Sequence, residues 1–126
     1  MNAEHRISAN FPPERRLKRQ DDFAAVFDRG QVAADDMLVV HAIRVRDPVS
    51  KIGLSVSKKV GNAPQRNRWK RLLRESFRLN VAQLPTHLWL VVRPRRGATA
   101  DFQAIQYSLR RLTQKLDRRL RTNELP

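Results

Sequence analysis

The sequence predicts a single small α/β (α+β) domain with about four strands in a mixed sheet and three helices. Three observations carry this. Residues 51–60 alternate apolar with small or polar side chains, the period of a half-buried strand. Residues 63–79 and 100–120 each keep one apolar stripe at helical spacing. Residues 87–93 hold the continuous apolar run Leu88 to Val92, which suits a buried strand. A chain of 126 residues is one domain by length and buries a modest core.

Charge narrows the partner. The chain has 26 basic and 12 acidic residues, a net charge of +14. Such an excess suits a polyanion: RNA, DNA or an anionic membrane surface. No apolar run approaches the roughly 20 residues that span a bilayer, and the first residues lack the apolar core of a signal peptide. The absence of cysteine excludes disulfides and zinc-thiolate sites. His5, His41 and His87 stand far apart, without metal-ligand spacing. The composition describes a cytoplasmic nucleic-acid-binding domain with no membrane partner.

Residues 1–16 read as a flexible basic N-terminal tail, and 17–126 as the domain proper. Arg15, Arg16, Lys18 and Arg19 cluster at the junction and suit an arm laid along phosphates. Asp21 and Asp22 open a helix over 21–29 that Gly30 stops; acids at a helix start favour its dipole. Phe23, Val26 and Phe27 share one face, which by itself reads as core.

Residues 32–46 form the next strand region, with a kink at Ala34-Asp35-Asp36 that would split it in two. Met37, Val39, His41, Ile43 and Val45 share one face; Leu38, Val40, Ala42 and Arg44 share the other. Both faces are largely apolar, so the strand is central. His41 reads as a satisfied core histidine rather than a ligand. Asp47-Pro48 then turns the chain.

The stretch from Lys51 to Arg78 organises the rest. It holds nine cations against one acid, Glu75. Ile52, Leu54, Val56 and Val60 give the expected strand 51–60 a buried face, and Gly53, Ser55, Ser57 and Lys59 give it a bare one. Gly61-Asn62 ends the strand. Asn62 with Gln65 makes a capping box, and Pro64 suits a first turn. In the helix over 63–79, Trp69, Leu72, Leu73 and Phe77 make the apolar stripe. Asn67, Arg71, Arg74 and Arg78 line the opposite face, flanked by Arg68 and Lys70. Cations four apart on a helix repel, and solvated faces normally mix signs. A face that stays cationic is therefore read as meeting nucleic acid.

Arg93 to Gly97 makes a cationic turn after the fourth strand. In the helix over 100–120, Phe102, Ile105, Leu109, Leu112, Leu116 and Leu120 keep one stripe. Arg110, Arg111, Lys115, Arg118, Arg119 and Arg121 lie opposite, where cations also suit the helix C-terminus.

Catalytic constellations are absent from the sequence. A metal-dependent nuclease needs acids converging on magnesium. Asp21-Asp22 and Asp35-Asp36 are adjacent pairs; strand neighbours point to opposite faces, and the first pair serves the helix start. No catalytic residue and no metal ligand is assigned to the protein.

The run Gly53-Leu54-Ser55-Val56-Ser57-Lys58-Lys59-Val60-Gly61-Asn62-Ala63, followed by Arg66-Asn67-Arg68 and Lys70-Arg71-Leu72-Leu73-Arg74-Glu75, resembles the signature of the bacterial ribonuclease P protein subunit. The match covers about twenty residues with few gaps, which makes it specific. The resemblance implies the fold of ribosomal protein S5 domain 2, with a left-handed β-α-β crossover where the general rule is right-handed. It implies binding to the catalytic RNA subunit through Lys58, Lys59, Arg66, Asn67, Arg68, Lys70, Arg71 and Arg74, one protein per RNA. It also implies a cleft for the 5′ leader of precursor tRNA. Phe23 and Phe27 match the family's leader-binding aromatics, with Ser55 and Ser57 on the small strand face. A further aromatic that the family often places near Val40 is aliphatic here. Hydrolysis would fall to the RNA subunit with its magnesium. A basic ribosomal or ribosome-assembly RNA-binding protein shares the charge but not this motif. A helix-turn-helix reader would not place a strand before its basic helix.

Overall fold

The computed structural model describes residues 13–124. Three helices and four strands follow in order: α1 (Gln20–Arg29), β1 (Gln31–Ala34), β2 (Leu38–Arg44), β3 (Lys51–Leu54), α2 (Ala63–Asn80), β4 (Leu88–Pro94) and α3 (Phe102–Glu124). The strands form one mixed sheet in the order β1-β2-β4-β3. β1 and β4 pair antiparallel with β2, while β3 runs parallel to β4 with α2 as the connection between them.

The sheet divides the core in two. Leu38, Val40 and Ala42 of β2 and Leu88, Leu90 and Val92 of β4 face α2 and α3. There they meet Trp69, Leu72, Leu73 and Phe77 of α2 and Ile105, Leu109, Leu112 and Leu116 of α3. The opposite face is thinner. Ile43 and Val91 pack with Val26 of α1 and with Leu17, flanked by Phe23 and Trp89. The period-2 alternation of β2 and β4 assigns their side chains to the two layers.

The kink expected at residues 34–36 is a hairpin turn. Asp35 Oδ1 accepts hydrogen bonds from the backbone N–H groups of Met37 and Leu38, both at 2.9 Å, while Arg111 of α3 reaches Oδ2 at 2.9 Å. Burial alone would raise the Asp35 pKa. Hydrogen bonds from Ser108, Leu38, Met37 and Arg111 outweigh it and hold the carboxyl below its ordinary value.

The strand expected over 51–60 is shorter, covering Lys51–Leu54. Ser55 N–H still donates to Val92 O at 3.0 Å. The next rung of a parallel ladder would need an N–H from residue 94, which is proline and has none. The chain then turns: Ser57 Oγ accepts from Lys59 N–H at 3.3 Å and caps a 3₁₀ turn over Lys58–Val60. Gly61 follows at φ +155. Lys59 therefore stands on an exposed turn and not on a strand face.

Residues 13–16, expected within the flexible tail, lie against the sheet. Pro13–Arg15 make a 3₁₀ turn, Arg16 bridges Ile52 in parallel, and Leu17 N–H donates to Ile52 O at 3.0 Å. This segment covers the outer edge of β3, where unpaired backbone groups would otherwise stand. The expectation for residues 1–12 lies outside the described residues.

Candidate nucleic-acid interface

α2 presents most of its cations as the sequence spacing predicts, whereas Arg78, expected on the same face, is half-buried. Asn62 Oδ1 accepts from Gln65 N–H at 2.9 Å, and Gln65 Oε1 accepts from Asn62 N–H at 2.8 Å, so the capping box fixes the helix start. Trp69, Leu72, Leu73 and Phe77 are buried against the sheet and α3. This rotation leaves Asn67, Arg68, Arg71 and Arg74 exposed, with Arg66 and Lys70 half-buried. Arg66 donates to Gly61 O at 2.9 Å, which ties its guanidinium to the turn carrying Lys58 and Lys59. Pro64, Asn67, Arg68 and Arg71 line a shallow groove of about 340 Å³ on this face.

A second concavity, of about 180 Å³, opens where α2, β3 and the N-terminal segment meet. Arg16, Lys70 and Arg74 supply its charge, and Phe23, Gly53 and Leu54 help form its wall. Burial first, and then the neighbouring Arg16 charge, push the Arg74 pKa below its ordinary value. Cations drawn together in a partly dry cleft favour an anion between them.

Gly53 is what admits Phe23 to this cleft. A Cβ on Gly53 would stand 2.5 Å from Phe23 Cζ and 3.2 Å from Leu17 Cβ. Gly53 pairs with Val91, and Val91 pairs with His41, so the three form one row across β3, β4 and β2 on the α1 side of the sheet. Phe23 occupies the Gly53 end of that row. Phe27 occupies the His41 end, edge-to-face with the imidazole at 4.8 Å between ring centroids.

Phe27 is 42 % exposed, whereas a core phenylalanine would be covered. His41 Nε2 accepts from Arg93 Nε at 3.2 Å, so in this pairing the ring proton sits on Nδ1. Nδ1 itself is buried and has no hydrogen-bond partner among the described residues. Burial first, and then the Arg93 charge, lower the His41 pKa and keep the ring neutral.

Not every expected residue joins this arrangement. Val40 is fully buried against α2 and α3 and cannot line a cleft on the α1 side. Side chains alternate along β2, and the residue presented to α1 is its neighbour His41. Sequence reasoning separated the two faces of this strand but could not tell which face α1 would cover. Ser55 and Ser57 fall beyond the end of β3; Ser57 is exposed and its hydroxyl is committed to the Lys59 turn. Arg16, expected on an arm laid along phosphates, stands in the cleft beside Lys70 and Arg74. Arg93, expected to open a cationic turn, lies within β4 and bonds His41.

No group of three His, Cys, Asp or Glu gathers among the described residues. Asp35 and Asp117 are held by arginines, at 2.9 Å from Arg111 and 3.1 Å from Arg121. These paired acids do not fit a carboxylate cage for magnesium. No described helix is long and apolar enough to cross a membrane.

Comparison with known proteins agrees in sequence and in fold. The family model described as Ribonuclease P matches residues 11–117. A ribonuclease P protein component from Listeria innocua is 40% identical over 96 residues, covering 75% of this chain and 81% of that one. A ribonuclease P protein component from Clostridioides difficile is 35% identical over 103 residues, covering 80% and 90%. The ribonuclease P protein structure from Thermotoga maritima superposes with a TM-score of 0.74 at 30% identity, over 79% of this chain and 96% of that one.

Proposed function

Since the chain belongs to the ribonuclease P protein family, we propose a division of its surface between two RNA ligands. The protein is the protein component of ribonuclease P and acts in 5′ processing of tRNA. The face of α2 bearing Asn67, Arg68, Lys70, Arg71 and Arg74, with Arg66, Lys58 and Lys59 at its start, binds the catalytic RNA through phosphates. The row from Phe23 to His41 binds the single-stranded leader of precursor tRNA. Aromatic rings stack on any base without reading its identity. The neutral His41 replaces Val40 in this assignment.

The observation that carries this reading is the shared cleft of Phe23, Gly53, Lys70 and Arg74. A strand passing from the aromatic row meets the basic helix without leaving the surface. Hydrolysis is assigned to the RNA subunit with its magnesium, and the protein supplies phosphate neutralisation and leader positioning. The commitment of Asp35 and Asp117 to arginines supports this assignment. One protein serves one RNA, in the cytoplasm where precursor tRNA is made. A ribosomal role is not favoured, because the relatives are ribonuclease P components.

The test is binding to a bacterial ribonuclease P RNA across a salt series. Contact with about five phosphates gives log affinity a slope of very roughly −4 against log salt. Arg71→Ala with Arg74→Ala should flatten that slope by up to about two. An unchanged slope in the double variant puts the RNA elsewhere.

A further inference from the structure

The exposed side of α3 is cationic, and the function assigned so far does not use it. Two described acids on or beside it, Asp117 and Asp35, are already committed. Arg111 holds Asp35 at 2.9 Å, while Asp117 takes Arg121 at 3.1 Å and Arg44 at 3.9 Å. Arg110, Lys115, Arg118 and Arg119 make no ion pair among the described residues. Attraction to the helix C-terminus accounts for cations of the last turn only. Lys115 lies earlier, and so does Arg111, whose guanidinium sits over the Tyr107 ring at 5.8 Å.

These cations border a groove. Gln31 of β1 faces Lys115, Arg118, Arg119 and Thr122 across an open concavity of about 310 Å³. Arg119 donates to Val32 O at 3.0 Å, which fixes one wall and closes part of the β1 edge. The lining residues are all cationic or capable of hydrogen bonding. No aromatic residue is among those lining the groove, so it offers no ring on which a single strand could stack.

Position decides what this groove is for. The sheet order places β1 at one edge and β3 at the other. Three strand spacings, about 14 Å, separate them. α2 borders the β3 edge through the Lys70 and Arg74 cleft, and α3 borders the β1 edge through the Arg118 groove. The protein therefore carries basic surfaces on two sides.

We propose that the α3–β1 groove binds the sugar-phosphate backbone of a second, duplex segment of the catalytic RNA, distant from the segment on α2. The inference rests on the RNA-binding role given above. Duplex RNA is held through phosphates and 2′-hydroxyls rather than by stacking, which matches cations set beside Gln31 and Thr122. An RNA already bound on α2 presents its other segments at high effective concentration. The second site then tethers two parts of one RNA fold across the protein.

The experiment is backbone-cleavage footprinting of a bacterial ribonuclease P RNA, with affinity measured across a salt series and complex mass recorded. The proteins are the native chain, Lys115→Gln with Arg118→Gln, and Arg71→Ala. Melting temperatures accompany each, because Lys115 is half-buried. The native protein should protect two separate segments. The α3 double variant should keep its melting temperature, lose one segment and flatten the salt slope by one to two. Arg71→Ala should weaken the other segment only. A double variant with the native footprint and slope overturns the inference and leaves the α2 assignment standing. A second segment that is protected only in complexes containing two RNA molecules also overturns it. Failure of the native protein to bind the RNA at all removes the functional reading itself.

Discussion

The Phe23 ring occupies the space that a side chain on Gly53 would fill, at 2.5 Å from an added Cβ. Gly53 is therefore a specificity element for packing rather than a backbone hinge. It gives α1 a seat close to the sheet and sets Phe23 beside the cations of α2.

Gly53→Ala should displace Phe23 from the cleft it shares with Lys70 and Arg74. The expected cost is roughly 1–3 kcal/mol of stability, as for other overpacked sites. Leader recognition should fall too, seen as a lower ratio of precursor to mature tRNA affinity. A variant that keeps this ratio would show that Phe23 placement is irrelevant to the leader.

Phe27 separates stacking from packing better than Phe23 does. It is 42 % exposed, so Phe27→Ala should cost well under the roughly 3–5 kcal/mol of a buried phenylalanine. If one leader base stacks there, the precursor should lose on the order of 1–3 kcal/mol of affinity, with little dependence on base identity. Mature tRNA should bind as before. A large melting shift with an intact precursor-to-mature ratio would make Phe27 ordinary core.

Val40→Ala should behave in the opposite way. Val40 is fully buried on the far side of the sheet. Its truncation should cost about 1.5–3 kcal/mol in thermal or denaturant unfolding. The precursor-to-mature ratio should stay native once the variant is folded. A selective loss of precursor binding would contradict the two-layer assignment of β2.

His41 gives the fold an acid sensitivity. Its pKa in the folded chain lies below the ordinary 6.5, through burial first and then the Arg93 charge. Between the folded value and 6.5, the unfolded chain binds more protons, so this contribution to stability is complete above about pH 6.5 and declines as pH falls. His41→Phe should remove that part of the pH dependence. Melting curves from pH 7.5 to 5 compare the two proteins, and parallel curves would place the acid sensitivity elsewhere.

Much of this molecule is determined locally. The capping box at Asn62 and Gln65 and the stripe from Trp69 to Phe77 follow from residue type and spacing, and so does the cationic face of α2. A helix whose apolar side is buried has no choice about which side faces solvent. The motif from Gly53 to Glu75 points to the family by itself. Tertiary structure decided what depends on partners distant in sequence. β3 stops at Leu54 because parallel pairing with β4 meets Pro94, forty residues away from Leu54 in the chain. Residues 13–17 lie in place because β3 is an edge strand whose outer groups need cover. The two faces of β2 were legible as two sets of residues. That His41 rather than Val40 meets Phe27 depended on which face α1 covers, and that is fixed by the seat Gly53 leaves open. Period along a strand separates its faces, but only packing says what each face touches.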